Sequence, residues 1–147
     1  MDPQFKSDIL IAMAVGFAVM MVLRFLPRIQ AKMMGVPFVK ADAAKSMIDG
    51  AADMLVLDVR TAGEFTGNLG HIKGALNLDS HNLREKLSQL GEELEPYKAQ
   101  PILITCRTHN RSPKAARILF QNGFKKLAIM EGGMTGWNRA GYPVTKG

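Results

Sequence analysis

The residues best suited to chemistry lie together between positions 106 and 113. Cys106 is the only cysteine in the 147-residue sequence, and Arg107 and Arg111 follow it within five positions. Ser112 and Pro113 favour the start of a helix, because serine caps helix N-termini and proline fits their first turn. Such a helix attracts anions to its N-terminus, and a cysteine placed there reacts more readily as a thiolate. The segment therefore predicts a nucleophilic cysteine inside an anion-binding loop.

Composition alone favours a less active role for this cysteine. Free cysteines are among the most buried residue types and commonly behave as small hydrophobic residues. A single cysteine also excludes an intrachain disulfide and a resolving thiol within the same chain. The arginines and the helix start beside Cys106 are what favour the chemical interpretation.

Short apolar runs alternate with helical stretches along the rest of the chain, which predicts an α/β fold. Two of these runs, residues 55–57 and 102–104, are continuously apolar, as strands buried on both faces of a parallel sheet should be. Ligands bind beyond the carboxyl ends of such strands, where Asp58 and Cys106 are expected. We predict a mainly parallel central sheet flanked by helices, with strands at 37–39, 54–58, 75–78, 102–105 and 127–130 and helices at 42–48, 83–97, 113–122 and 134–140.

The N-terminus carries a candidate membrane anchor. Residues 9–23 are fifteen positions without a polar side chain, and Arg24 follows, where its long side chain can reach the interface. Counted to Leu26, the helix is roughly 27 Å long, close to the roughly 30 Å of a bilayer core. A cleaved signal peptide is one alternative, but it would need a basic start and a small-residue cleavage site, and the sequence shows neither. A buried helix of a soluble domain is another, but it would show a polar face, and residues 9–23 have none. We predict one transmembrane helix, with residues 1–35 as anchor and juxtamembrane helix and 36–147 as the globular domain.

Charges around this segment predict its orientation. Asp2, Lys6 and Asp8 precede it, whereas Arg24, Arg28 and Lys32 follow it. Short positively charged flanks mark the cytoplasmic side, so we expect a single-pass protein of the inner (cytoplasmic) membrane whose domain faces the cytoplasm. This expectation fails if residues 1–5 are a vector remnant that replaced native residues.

The net charge of +6 is concentrated at the C-terminal end, where residues 101–147 hold eight basic groups and one acidic group. Nucleic-acid modules combine such charge with interleaved aromatic residues, and that signature is missing. We therefore expect a small anion as the partner and no nucleic acid.

Several motifs together resemble the single-domain rhodanese (thiosulfate sulfurtransferase) family over residues 39–144. Each motif is weak alone, but their order and spacing are specific. They are Leu57-Asp58-Val59-Arg60, Glu64-Phe65, Gly70-His71-Ile72-Lys73-Gly74-Ala75 with Asn77, the loop 106–112, and Glu131-Gly132-Gly133 with Trp137, Gly141 and Pro143.

The resemblance implies a sulfurtransferase in which Cys106 takes the outer sulfur of thiosulfate, or of a related sulfane donor, as a persulfide. A thiophilic acceptor such as cyanide, glutathione or thioredoxin then removes the sulfur. No cofactor and no metal are implied. The residues implied in donor binding are Arg107, Thr108, His109, Asn110, Arg111 and Ser112, with Asp58 and Arg60 in support, where a purely structural ion pair is an equal alternative.

One departure from the family pattern and two rival functions stay open. His109 stands where close relatives often carry glycine, so a positive φ would strain it, and a proton-donor or selectivity role is an alternative. A phosphatase or arsenate reductase of the same fold needs its arginine six positions after the cysteine, and Arg111 is five positions after Cys106. The other rival is a membrane-tethered persulfide carrier or docking module with little turnover of small donors.

Overall fold

Five parallel strands form one sheet in the computed structural model, which describes residues 3–147 and leaves Met1 and Asp2 outside the described residues. The strands are β1 (Phe38–Val39), β2 (Leu55–Asp58), β3 (Leu76–Asn77), β4 (Ile102–Thr105) and β5 (Leu127–Met130). Their order in the sheet is β1-β5-β4-β2-β3, which places β4 at the centre. The predicted α/β class and parallel sheet are confirmed.

Helices flank the sheet on both faces. They are α1 (Pro3–Met33), α2 (Ala41–Gly50), α3 (Ala62–Phe65), α4 (Leu83–Leu90), α5 (Ser112–Gln121) and α6 (Gly133–Arg139), with a 3₁₀ helix at Gly91–Tyr97. The sequence did not predict α3, which has only four residues. Helix α5 begins one residue earlier than expected: Arg111 is its N-cap, without a side-chain cap bond, and Ser112 is its first residue.

The central strand is buried on both faces, as its continuous apolar run predicted. Ile102 and Ile104 belong to one core cluster, which includes Leu119 of α5. Leu103 belongs to a second cluster, with Trp137 of α6. Successive side chains of a strand point to opposite faces, so the two cores fix the register of β4 and the position of the loop that follows it.

Helix α1 is long and apolar enough to cross a membrane, with a mean hydropathy of 2.5 in its most apolar segment. Pro27 lies inside the helix, which continues to Met33. Its last turns join the domain: Ala31 is fully buried, and the Arg117 guanidinium of α5 donates to Gln30 Oε1 at 3.0 Å. The candidate anchor thus packs directly on the helix that starts at the cysteine loop.

Candidate active site

Cys106 follows the central strand directly and is only 1% exposed. Its carbonyl oxygen accepts a hydrogen bond from the backbone N–H of Met134 at 2.8 Å. The Arg107 carbonyl accepts one from the Thr135 N–H at 2.9 Å. Both donors lie at the start of α6, so the first carbonyls of the loop are directed at that helix.

Gly133 allows this close approach of α6 to the loop. A Cβ atom at this position would lie 2.4 Å from the Cys106 carbonyl oxygen and 2.5 Å from that of Thr108. The residue also has a φ of +54°, a left-handed conformation that side chains disfavour. Position 133 therefore requires glycine both for space and for backbone conformation.

The backbone N–H groups of the loop have no partners in the described part of the chain. Within residues 3–147, no acceptor takes a hydrogen bond from the five backbone N–H groups of residues 107–111. The Ser112 hydroxyl is buried and likewise has no partner among the described residues. A buried hydroxyl is normally paired, and N–H groups that surround a helix start can form anion-binding concavities. The arrangement is therefore a cradle for a negatively charged atom or group next to Cys106.

Arg111 is held in a bidentate ion pair with Glu64. Its Nη1 and Nη2 atoms each donate to a different Glu64 carboxylate oxygen at 2.7 Å. The hydrogen bonds from Arg111 hold the pKa of Glu64 near 2, despite an opposing effect of burial, so the pair is ionised at any physiological pH. Arg111 therefore reaches the predicted site, but Glu64 neutralises its charge.

Helix α3 positions Glu64 for this role. Thr61 and Glu64 form a capping box, in which the Thr61 N–H donates to Glu64 Oε2 at 3.1 Å and the Glu64 N–H donates to Thr61 Oγ1 at 3.3 Å. The Thr-x-x-Glu spacing is a known helix-start signature that could have located α3 in the sequence. The 47-residue separation of Glu64 and Arg111 gave no signal of their pairing.

Asp58 and Arg60 form a fully buried ion pair behind α3. Arg60 Nη2 lies 2.6 Å from Asp58 Oδ2, and the two side chains are 1% and 0% exposed. Arg60 also donates to the carbonyls of Glu64 and Gly70, at 3.1 and 2.7 Å. These contacts fix both ends of the segment that carries Glu64, so the pair supports the loop through its neighbours.

Arg107 is the exposed cation of the loop. Its guanidinium makes no hydrogen bond or ion pair with another of the residues 3–147. It lines a cavity of about 400 Å³ together with Thr61, Glu64 and Leu69. Arg107 therefore contributes a positive charge beside the cradle that no described residue neutralises.

Thr108, His109 and Asn110 form the tip of the loop. His109 has no positive φ, since glycine accounts for every positive φ among residues 3–147, so the strain expected at this position does not arise. Its Nδ1 atom is buried without a partner within the described chain. Burial, followed by the nearby Arg28, lowers the pKa of His109. The exposed Asn110 and His109 both face α1 across a second cavity.

Comparison with known proteins identifies the family. The family model for the rhodanese-like domain matches residues 40–140. The chain belongs to the rhodanese-like domain family. The predicted resemblance to the rhodanese family is confirmed.

Solved structures of rhodanese-like proteins have the same fold. A rhodanese-related protein from Thermoplasma volcanium is 29% identical, with a TM-score of 0.61 over 74% of this chain and 97% of that one. A thiosulfate sulfurtransferase from Pseudomonas aeruginosa superposes with a TM-score of 0.66 at 21% identity, over 84% of this chain and 23% of that one. The latter similarity, at that identity, shows the fold alone.

A curated relative named tRNA uridine(34) hydroxylase, from Photorhabdus laumondii, is 32% identical over 111 residues. The match covers 73% of this chain and 31% of the relative. The rhodanese-like chain thus spans less than a third of that protein.

Two further residues of the rhodanese motifs have structural contacts. The His71 ring stacks on Phe65 at 3.7 Å, and its Nδ1 atom lies 2.9 Å from the Phe65 carbonyl oxygen. Trp137 is buried in the core and donates from Nε1 to the Pro143 carbonyl at 3.0 Å. The Trp137 side chain thus holds the C-terminal segment against the core, whereas the His71 side chain packs on the segment at Phe65.

Proposed function

We propose that this protein is a sulfurtransferase that moves a sulfane sulfur from thiosulfate, or a related donor, to a thiophilic acceptor through a persulfide on Cys106. The observation that carries the proposal is the loop cradle, in which five consecutive N–H groups beside a buried cysteine have no acceptor among residues 3–147. A persulfide anion is a ligand of suitable size and charge for those groups.

The proposed reaction has two displacement steps. The Cys106 thiolate attacks the outer sulfur of thiosulfate, the S–S bond of the donor breaks, and sulfite leaves with the bonding electron pair. The new S–S bond, about 2.05 Å long, carries the transferable sulfur outward from the buried Sγ atom. An acceptor such as cyanide then attacks that outer sulfur, thiocyanate leaves, and the thiolate is regenerated.

The loop N–H groups stabilise both charged states of this cycle. Hydrogen bonds to charged acceptors are about twice as strong as neutral ones, and a preformed set of donors needs no reorganisation during the reaction. The Ser112 hydroxyl can rotate to donate to the same sulfur, since no other described residue accepts from it. Gly133 and the Glu64–Arg111 pair keep these donors in place.

The proposed experiment is an intact mass measurement of the purified protein after exposure to thiosulfate. A persulfide adds one sulfur, about 32 Da, and a reducing thiol removes it again. An unchanged mass after treatment with thiosulfate and with a second sulfane donor would contradict the persulfide mechanism. Because the sequence holds one cysteine, the adduct has a single possible site.

The same measurement, combined with steady-state turnover, separates an enzyme from a persulfide carrier. A carrier would gain the sulfur but release it only to a protein acceptor, whereas the proposed enzyme also releases it to cyanide.

The phosphatase alternative is disfavoured because Arg111, the arginine available for an oxyanion, is already bound at both terminal nitrogens by Glu64. The relatives named tRNA uridine(34) hydroxylase are more than three times as long as the segment that matches this chain. Their hydroxylase activity is therefore not proposed for this chain.

Donor binding is predicted to depend on Arg107 rather than on Arg111. Arg107→Ala should raise the KM for thiosulfate about 3- to 10-fold at low ionic strength and weaken its salt dependence, because an exposed cation attracts a dianion through a field that salt screens. Arg111→Ala should instead lower kcat, since it leaves Glu64 unpaired and loosens the loop. Initial rates at two salt concentrations provide the test, with exposed Arg84→Ala on α4 as the matched control.

An unchanged KM in Arg107→Ala at low salt would contradict the assignment. A higher KM and a weaker salt dependence in Arg111→Ala alone would return the donor-binding role to that residue.

We also propose that α1 spans the inner membrane once, with the domain in the cytoplasm. The charge asymmetry around α1 supports this orientation, and transfer to thiol acceptors suits a reducing compartment. Cys106 is too buried for a quantitative label, so the reporter cysteine is placed at exposed Glu92 in a Cys106→Ser chain. A membrane-impermeant thiol reagent should label Glu92→Cys only after lysis of spheroplasts.

The matched control places the cysteine at exposed Ser7, near the opposite end of α1. Ser7→Cys should be labelled in intact spheroplasts. The reverse pattern for the two positions would place the domain outside the cytoplasm.

A further inference from the structure

The cavity on the α1 side of the loop belongs to neither the cradle nor the Arg107 side. It has a volume of about 480 Å³ and lies between the second half of α1 and the loop tip. Its walls include Met20, Leu23, Arg24, Arg28, His109 and Asn110. Its size lies within the range of small-molecule sites in proteins.

The lining changes from apolar to cationic along α1. Met20 and Leu23 come first in the chain, and Arg24 and Arg28 follow on one helix face, four residues apart. At a rise of about 1.5 Å per residue, the step from Met20 to Arg28 covers about 12 Å of the helix axis. The α1 wall of the cavity therefore begins with apolar side chains beside the candidate span, and both of its cations lie toward the domain, in a cationic end that also includes Phe25 and Pro27.

The polar groups of this cavity have few partners within the protein. Neither Arg24 nor Arg28 makes a hydrogen bond or an ion pair with any residue in the described range 3–147, although Arg28 lies 6.0 Å from the Phe38 ring centre. The buried His109 Nδ1 atom is also unpartnered there. Glu131 is the carboxylate on this side and lines an adjoining cavity with Arg28. Two guanidinium groups against one nearby carboxylate leave the cavity positive.

We propose that this cavity binds a membrane phospholipid, with its phosphate on Arg24 and Arg28 and an acyl chain along Met20 and Leu23. The cationic end follows the fifteen-residue apolar segment directly, so its long side chains can reach the lipid phosphates at the edge of the hydrocarbon core when the helix spans a bilayer. Basic residues at this depth attract anionic lipids. The inference rests on the proposed membrane insertion of α1.

Lipid binding here has a consequence for the active site. His109 and Asn110 form one wall of the cavity and lie three and four residues after Cys106. A lipid bound on Arg24 and Arg28 would hold the catalytic loop at the bilayer surface. Donor and acceptor would then reach Cys106 from the interfacial water layer.

The test is native mass spectrometry of the full-length protein released from detergent micelles that contain phosphatidylglycerol. The wild type should retain one lipid molecule, and Arg24→Ala/Arg28→Ala should lower the retained fraction at least 10-fold. Arg84→Ala/Arg139→Ala removes two exposed arginines away from the cavity and should retain lipid as the wild type does. Equal retention in the two double variants would overturn the proposal.

Two further measurements separate the possible causes of a negative result. Resistance to alkaline carbonate extraction shows whether α1 inserts in each variant, and loss of insertion in the wild type would overturn the proposal at its first step. Inorganic phosphate at millimolar concentration should not displace the lipid, and full displacement would assign the site to free phosphate instead. Addition of about 32 Da by thiosulfate is read in the same spectra, so failure of the lipid site and failure of sulfur loading are distinguished.

Discussion

Replacement of Cys106 by serine is expected to abolish sulfur transfer from thiosulfate to cyanide. In enzymes that use covalent catalysis, loss of the nucleophile lowers kcat by several orders of magnitude, because the remaining binding groups cannot form the covalent intermediate. The sequence holds no second cysteine that could replace it. The variant should also fail to gain mass after treatment with thiosulfate.

The fold should survive this change. Serine is close to cysteine in size, and the unpaired N–H groups of residues 107–111 can donate to its hydroxyl oxygen. We expect a loss of no more than about 1–2 kcal/mol in the free energy of unfolding, which is the usual range for one changed hydrogen bond. Circular dichroism and a thermal melt check this point. Substantial turnover by a folded Cys106→Ser protein would disprove the mechanism.

The sequence predicted the cysteine loop well because its signals are local. Apolar residues 102–104 mark a buried strand, and Ser112 and Pro113 mark a helix start, so the chain between them must be a strand-to-helix loop. Only the N-cap of α5 was misplaced by one residue, since it is Arg111 rather than Ser112. The glycine pair at 132–133 was recognised by resemblance alone, and its physical reason became visible only with α6 in place.

The partners of the loop could not be predicted in the same way. Glu64 is 47 positions from Arg111, and its helix has only four residues, too few for a periodic pattern. A charge count therefore treated Arg111 as a free cation. The structure pairs it with Glu64, whereas Arg107 has no carboxylate partner among residues 3–147.

The position of α1 on the domain also could not be predicted from the sequence. An apolar segment indicates a membrane span, but its pattern does not say which surface of the domain it contacts. The contact with α5 brings Arg24 and Arg28 to one side of the loop tip, where burial and then the Arg28 charge lower the pKa of His109. His109, the residue that departs from the usual glycine, thus faces α1 rather than the Arg107 cavity.

Gly133→Ala is the second change expected to have a large effect. A Cβ atom there would lie 2.4 and 2.5 Å from two backbone oxygens of the loop, which cannot rotate away as a flexible side chain could. Either α6 or the loop must shift by several tenths of an ångström or more. A displacement of about 1 Å in catalytic geometry can cost about 10²-fold in rate, and we expect at least that loss in kcat for thiosulfate.

Gly141→Ala is the matched control for this change. Gly141 has a similarly positive φ, +78° against +54°, but its added Cβ would meet no atom within 4 Å. Both variants therefore carry the backbone strain of a left-handed alanine, which costs about 1–3 kcal/mol. Only Gly133→Ala adds the steric conflict with the loop carbonyls, so only it should lose sulfur transfer.

The decisive measurement is kcat for both variants at a temperature where each is folded by circular dichroism. Gly141→Ala should lower the melting temperature and keep most of its turnover. Gly133→Ala should lose turnover even where it is folded, because its N–H cradle is displaced from the persulfide. If the two variants lost turnover equally and only in proportion to their unfolding, the contact of α6 with the loop would have no catalytic role beyond stability.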